Sequence, residues 1–120
     1  MKIKRIALIG LGAMGVFFAP RLYEAFGENF YIIAGGERKK RLESKGVTIN
    51  GVNYRFPIAT PEEQGEPADL ILIGVKGYGF AQAIEDIRHQ VGEHTLILSL
   101  LNGVDSEEQL IQAFGEEHVL

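Results

Sequence analysis

A turn suited to holding a phosphate lies near the start of the chain. Gly10, Gly12 and Gly15 stand at Gly-x-Gly-x-x-Gly spacing, with Leu11, Ala13 and Met14 between them. Each glycine answers a different need. The first makes a tight turn, the second lets backbone approach a diphosphate, and the third lets a helix lie close against a strand. The first-turn amides of that helix have no intrahelical acceptor, and its dipole places partial positive charge there. An anion is the natural ligand of such an end. The spacing alone is common, so its context gives it weight. An apolar β-favouring run, Arg5 to Ile9, precedes it, and Met14, Phe17, Phe18, Leu22 and Phe26 follow at helical spacing. Pro20 falls inside that helix and predicts a kink or local break.

The second chemical signal lies about twenty residues on. An enzyme using NAD usually places Asp or Glu at the end of the second strand, to accept a hydrogen bond from the ribose. An enzyme using NADP avoids that acid and offers a cation to the 2′-phosphate. Here the run Phe30 to Ala34 ends in Gly35-Gly36, with no acid at Ala34 or Gly35. Glu37 comes slightly late and keeps an NAD reading open. Arg38, Lys39, Lys40 and Arg41 follow at once. Arg38 is the first candidate for the phosphate, because a guanidinium fork matches phosphate oxygens. Lys39 is the second. Lys40 and Arg41 read as a solvated helix face.

Two further polar residues follow apolar β runs. Lys76 comes after Asp69 to Val75, and Asn102 after Thr95 to Leu100. At strand ends both would face the nicotinamide side of a dinucleotide. A lysine there can bind a carboxylate or a ribose hydroxyl. An asparagine can bond both a carboxamide and a substrate oxygen. Asn102-Gly103 is also a plain turn signal.

The elements that position these residues alternate. Continuous apolar runs read as buried parallel strands and the intervening periodic segments as helices. Glu37 to Lys45 is helix-prone, with Gly46 as its stop. Asn50-Gly51, between Val47-Thr48-Ile49 and Val52 to Phe56, predicts a hairpin. Thr60 to Ala68 is an acidic loop. A helix is expected from about Gly79 to Val91. Asp105 and Glu108 have capping-box spacing for a last helix ending near Gly115, after which His118 to Leu120 starts another strand. The expected fold is α/β: a Rossmann-type, doubly wound, mainly parallel sheet with a small antiparallel hairpin insertion. Ligands of such sheets sit beyond the carboxyl ends of the strands.

Bulk properties narrow the class. A chain of 120 residues is expected to be one domain, a dinucleotide-binding domain over 1–120. Its 46% hydrophobic and 23% charged residues are those of an ordinary soluble protein. A net charge of −4 argues against nucleic acid or an anionic membrane as partner. The lack of cysteine removes disulfides and thiolate metal sites, and fits a reducing cytoplasm. No metal is expected. No signal peptide or membrane span is expected from the apolar runs.

Taken together, these features resemble the ketopantoate reductase (2-dehydropantoate 2-reductase) family of the 6-phosphogluconate-dehydrogenase-like group. The residues carrying the resemblance are Ile6 to Gly15, Lys45-Gly-Val-Thr-Ile49 before the hairpin, Val75-Lys76, and Leu101 to Val104 with the acidic stretch Asp105 to Glu108. It covers nearly the whole chain. It implies NADPH-dependent reduction of a 2-oxo acid, ketopantoate, to a 2-hydroxy acid in pantothenate synthesis. It implies that Gly10, Leu11, Gly12, Ala13, Met14 and Gly15 hold the diphosphate. Arg38, Lys76 and Asn102 then complete the cofactor site, and Asn102 also binds substrate. Where the family usually has an arginine for the 2′-phosphate, this chain has Gly35. The family's general-acid lysine comes from an all-helical C-terminal domain beyond these 120 residues. No catalytic residue is therefore assigned here, and the 120 residues alone are expected to be inactive. A homodimer is allowed.

Other reactive residues have structural explanations. His89, His94 and His118 are scattered and read as surface positions. Ser99 has no sequence sign of a partner base. Tyr78 and Phe80 suit either cofactor cover or packing. Phe17 and Phe18 suit the core or contact with a second domain. The Glu62-Glu63 and Glu116-Glu117 pairs read as solvated. Two alternatives stand beside the reductase: a non-catalytic dinucleotide-sensing module, and another oxidoreductase of the same group.

Overall fold

The computed structural model describes residues 2–75, 79–100 and 104–120. Strand β1 (Ile6–Ile9) leads into helix α1 (Ala13–Phe26), and β2 (Phe30–Ile33) into α2 (Gly36–Lys45). A hairpin of β3 (Val47–Ile49) and β4 (Val52–Tyr54) follows, then the short β5 (Ile58–Ala59). Strand β6 (Ala68–Ile73), helix α3 (Gly79–Asp86), strand β7 (Val91–Ser99) and helix α4 (Val104–Phe114) complete the order. The main sheet runs β5-β2-β1-β6-β7, every pair parallel. The chain starts at the centre, winds outward to β5, then crosses back to β6. That reversal creates a switch point beside β1.

Alternation along the strands builds two cores. Ala7, Ile9, Tyr31, Ile33, Ile71, Ile73 and Ile97 pack with Phe80, Ala83 and Ile84 of α3, Ile87 just after it, and Leu110 of α4. Ile6, Leu8, Phe30, Ile32 and Leu72 face the other way, toward Ala19 of α1 and Phe56. A strand buried on both faces has no use for polar alternation, hence the unbroken apolar runs.

Three departures from sequence expectation have physical reasons. Helix α1 continues through Pro20 without a break. Its apolar face, with Ala19 fully buried, holds it against the sheet, and packing outweighs the bond lost at the proline. Helix α3 ends at Asp86, and a 3-10 turn over Arg88–Gln90 brings the chain into β7 earlier than apolarity suggests. Val91 pairs with Ala68 at the start of β6, and the polar residues Gly92 to His94 fall in a register shift before pairing resumes at Leu70 with Leu96. Finally, β5 is a two-residue edge strand too short for any periodicity. The hairpin forms as expected, with Asn50 and Gly51 both at positive φ (50° and 82°). Gly46 and Gly115 stop α2 and α4, donating to Leu42 O and Ile111 O. A last parallel bridge joins Val119 to Ile97.

The amino ends of β1 and β6 are tied by charge. The Asp69 carboxylate accepts hydrogen bonds from the backbone N–H of Lys4 (2.7 Å) and Arg5 (2.9 Å). These bonds, that from Arg5 first, hold its carboxyl below the ordinary carboxylate range. Nearby, Arg5 lies over the Tyr31 ring at 4.8 Å, and the Tyr31 hydroxyl donates to Gln90 Oε1. Burial raises the Tyr31 pKa.

At the opposite end of these strands three backbone segments cross. The N–H of Gly74 donates to Ile9 O at 2.8 Å. A Cβ on Gly74 would stand 2.8 Å from Gly10 O, and one on Gly10 would stand 2.9 Å from Gly74 C and Val75 N. Gly10 also has φ +95°, open to few residues but glycine. A Cβ on Gly15 would overlap the carbonyl oxygen of Gly10.

Three substitutions have expected outcomes. Gly15→Ala should lower unfolding stability by about 1–3 kcal/mol in urea titration, the usual range for overpacking. Gly65→Ala, where nothing lies within 4 Å of the added carbon, should leave it within about 0.5 kcal/mol. Asp69→Asn should cost about 1 kcal/mol near neutral pH. Because the folded pKa is depressed, that contribution is full above the ordinary carboxylate range and disappears as pH falls through the lowered value. The gap between the stability curves of the Asp69→Asn variant and wild type should therefore close on acidification.

Candidate functional site

The turn between β1 and α1 opens onto a cleft of about 680 Å³. Gly10, Leu11, Gly12, Ala13 and Met14 form one wall, and Gly74 and Val75 continue it. The ends of β2, Ile32 and Ile33, form the floor. Arg38, Arg41, Leu42 and Lys45 of α2, with Gly46, form the far wall. The cleft thus lies beyond the carboxyl ends of β1, β2 and β6.

The near wall is built to accept negative charge. Gly12 caps α1 with extended backbone and no side-chain bond, and no acidic residue stands in the first turn. The first bond inside the helix is Val16 N–H to Gly12 O, 2.9 Å. The N–H groups of Ala13, Met14 and Gly15 therefore have no intrahelical acceptor. Gly15 itself serves the wall from behind, by letting α1 approach Gly10. Sequence reasoning misses Gly74, which reads only as the penultimate residue of an apolar run. A glycine where a buried strand leaves the sheet is the signal that could have found it.

The far wall sorts charge by helical period. Positions 38, 41 and 45 share a face with Leu42, at i, i+3 and i+7. The carboxylates of α2 serve the other faces. Glu37 lies 3.7 Å from Lys40, and Glu43 lies 4.0 Å from Lys39. Among the described residues, Arg38, Arg41 and Lys45 carry no ion pair. Like charges at this spacing cost about 0.2–0.5 kcal/mol per pair. Arg38 also stands in the first turn of α2, where the dipole disfavours a cation.

Several expectations are corrected here. Arg41 is exposed, as expected, and it also lines the cleft one turn after Arg38. Lys39, the second candidate for the phosphate, is held outside the cleft with Glu43. Glu37, which kept an NAD reading open, is also outside it, beside Lys40. Gly35 caps α2 just after β2 but does not line the cleft, and a Cβ there would meet Pro61 Cδ at 3.1 Å. Phe80 is core, 4% exposed, and so does not cover the cleft. Phe17 is half exposed and carries Arg21 over its ring at 4.1 Å, so it is not core. His118 is only partly exposed, and its ring Nδ1 lies 2.7 Å from Thr95 O. Lys76, Tyr78 and Asn102 lie outside the described residues, and the Asp105 side chain is likewise not described.

Among the described residues no helix is long and apolar enough to cross a membrane. Residues 6–120 match the family described as ketopantoate reductase PanE/ApbA. A 2-dehydropantoate 2-reductase of Streptococcus pyogenes serotype M3 is 26% identical over 96% of this chain and 38% of its own length. An uncharacterized oxidoreductase, YkpB of Bacillus subtilis, is 28% identical over 97% of this chain and 39% of its own. The chain therefore spans about two-fifths of the curated relatives it matches. Among solved structures, 2-dehydropantoate 2-reductase from Geobacter metallireducens superposes with TM-score 0.75 at 32% identity, over 96% of this chain and 39% of that one. D-mandelate dehydrogenase, solved with NADH and anilino(oxo)acetate, superposes with TM-score 0.77 at 29% identity, over the same shares. Fold, glycine turn and these likenesses agree: the chain belongs to the ketopantoate reductase PanE/ApbA family of oxidoreductases.

Proposed function

We propose that this chain is the dinucleotide-binding domain of an NADP-dependent 2-oxo acid reductase, with ketopantoate as substrate and pantoate as product. The observation that carries the reading is the cleft itself. It joins an uncapped, acid-free helix start to a helix face bearing Arg38, which has no carboxylate partner among the described residues. When bound, the reduced dinucleotide supplies the hydride. The chain's own residues do the holding. The amides of Leu11 to Gly15 receive the diphosphate, and Gly12 keeps the approach open. Arg38 receives the 2′-phosphate in place of a residue at Gly35. Lys76 and Asn102 follow the ends of β6 and β7 in sequence, and are proposed to serve the nicotinamide and the substrate oxygens.

A helical domain beyond residue 120 is proposed to supply the general acid and the rest of the substrate site. The share of each relative that this chain covers supports such a domain. The 120 residues alone are then inactive but bind cofactor. The lack of cysteine suits the cytoplasm as the place of work.

A second reading is favoured by one likeness. D-mandelate dehydrogenase is solved with NADH, and a similar enzyme acting on another 2-hydroxy acid would need no phosphate contact. Calorimetric titration separates the two. NADPH should bind more tightly than NADH. Arg38→Ala should weaken NADPH about tenfold, the loss of one charge-assisted contact, and leave NADH nearly unchanged. Tighter binding of NADH by the wild-type chain would favour the second reading.

A further inference from the structure

We propose that Arg41 is a second specificity-determining residue, which together with Arg38 clamps the 2′-phosphate of the dinucleotide. The assignment rests on the cofactor site proposed above and concerns how that site tells NADPH from NADH.

Helix α2 sorts its charges by face. The helix carries five basic residues and two acidic ones between Glu37 and Lys45. The two acids go to Lys39 and Lys40, away from the cleft. Arg41 is left with Arg38 three residues before it and Lys45 four residues after it, both cations, both lining the same cleft. Among the described residues it has no ion pair. Glu37, four residues before Arg41 and at helical spacing from it, lies instead 3.7 Å from Lys40. Cations gathered on the cleft side of the helix, with the acids turned to other partners, point to an anionic ligand.

The ligand chemistry follows from the residue types. A phosphate monoester carries close to two negative charges near neutral pH, and one guanidinium cannot neutralise both. Two guanidinium forks one helical turn apart can hold different oxygens of the same group. Only the 2′-phosphate distinguishes the two dinucleotides, so a residue contacting it acts on one and spares the other. Lys45, at the carboxyl end of α2, contributes field more than contact.

The test is titration of the full chain with four probes: NADPH, NADH, 2′-phosphoadenosine 5′-phosphate and adenosine 5′-phosphate. Arg41→Ala should weaken NADPH and the 2′-phosphorylated fragment about five- to tenfold. It should leave NADH and adenosine 5′-phosphate unchanged within twofold. Arg41→Lys should recover part of the loss, keeping charge without the fork. The salt dependence of NADPH binding should be shallower in Arg41→Ala than in wild type. Circular dichroism should show the helix content of wild type, since alanine favours helix. Wild-type binding of NADPH with an unaffected Arg41→Ala, or equal weakening of NADPH and NADH, would overturn this assignment alone. Wild type that binds neither dinucleotide would overturn it together with the cofactor site.

Discussion

The structure depends on one crossing of backbone over backbone. The turn after β1, the start of α1 and the exit of β6 meet at Gly10, Gly15 and Gly74, with no room for a Cβ at any of the three. Parallel pairing of β1 with β6 brings the last two strand residues side by side, and the Gly74–Ile9 bond continues that ladder past the sheet's edge. Because Gly15 has no side chain, α1 can start directly over that edge. Its free amides then point beyond the strand ends and not into the sheet. The anion-accepting wall and the sheet's closest packing are thus the same contact. A side chain there would push α1 away and move the amides with it.

The second wall needs a different device. Helix α2 buries no residue fully, so apolar packing holds it weakly. Its carboxyl end is held by polar groups from the hairpin region. Asn53 Nδ2 donates to Lys45 O at 2.9 Å. Arg55 donates to Ser44 O at 3.0 Å and to Glu43 O. These are the carbonyls that a helix leaves without partners, at the end where its dipole is negative. A guanidinium satisfies both needs. The antiparallel hairpin, an interruption of an otherwise alternating βα chain, therefore serves as a clamp that holds the cationic face of α2 toward the glycine turn. Gly46 makes the clamp close: a Cβ there would meet Asn53 Oδ1 and Tyr54 O, both at 2.7 Å.

What can be read in the chain alone divides along the same physical lines. Local signals suffice for the strands, because Ile6 to Ile9 or Phe30 to Ile33 are buried on both faces and show it in composition. They suffice for Gly10, Gly12 and Gly15, where spacing records a backbone need, and for Asn50-Gly51, where two positive φ angles select the pair. They fail where the deciding partner is distant in sequence. Gly74 is required by Gly10, and β5 exists only because β2 offers an edge to Ile58 and Ala59. Nearness to β2 ranks the basic run Arg38 to Arg41 residue by residue. The helical period, and the two glutamates that neutralise Lys39 and Lys40, sort it instead. His118 reads as exposed in the sequence because the bond to Thr95 spans 23 residues.

The net charge of −4 and the cationic cleft are compatible because screening makes charge a local matter. At physiological ionic strength the Debye length is about 8 Å. Positions 38 to 45 extend over about 10 Å of helix, at about 1.5 Å per residue. An anion inside the cleft is therefore within reach of Arg38, Arg41, Lys45 and the start of α1. The glutamates of the 60s loop and those after Gly115 are not among the residues lining it. Those acids govern solubility and long-range encounter. Inside the cleft the nearest charges are Arg38, Arg41 and Lys45, which among the described residues carry no ion pair. Their mutual repulsion, about 0.2–0.5 kcal/mol per pair, would be relieved by an anion bound between them.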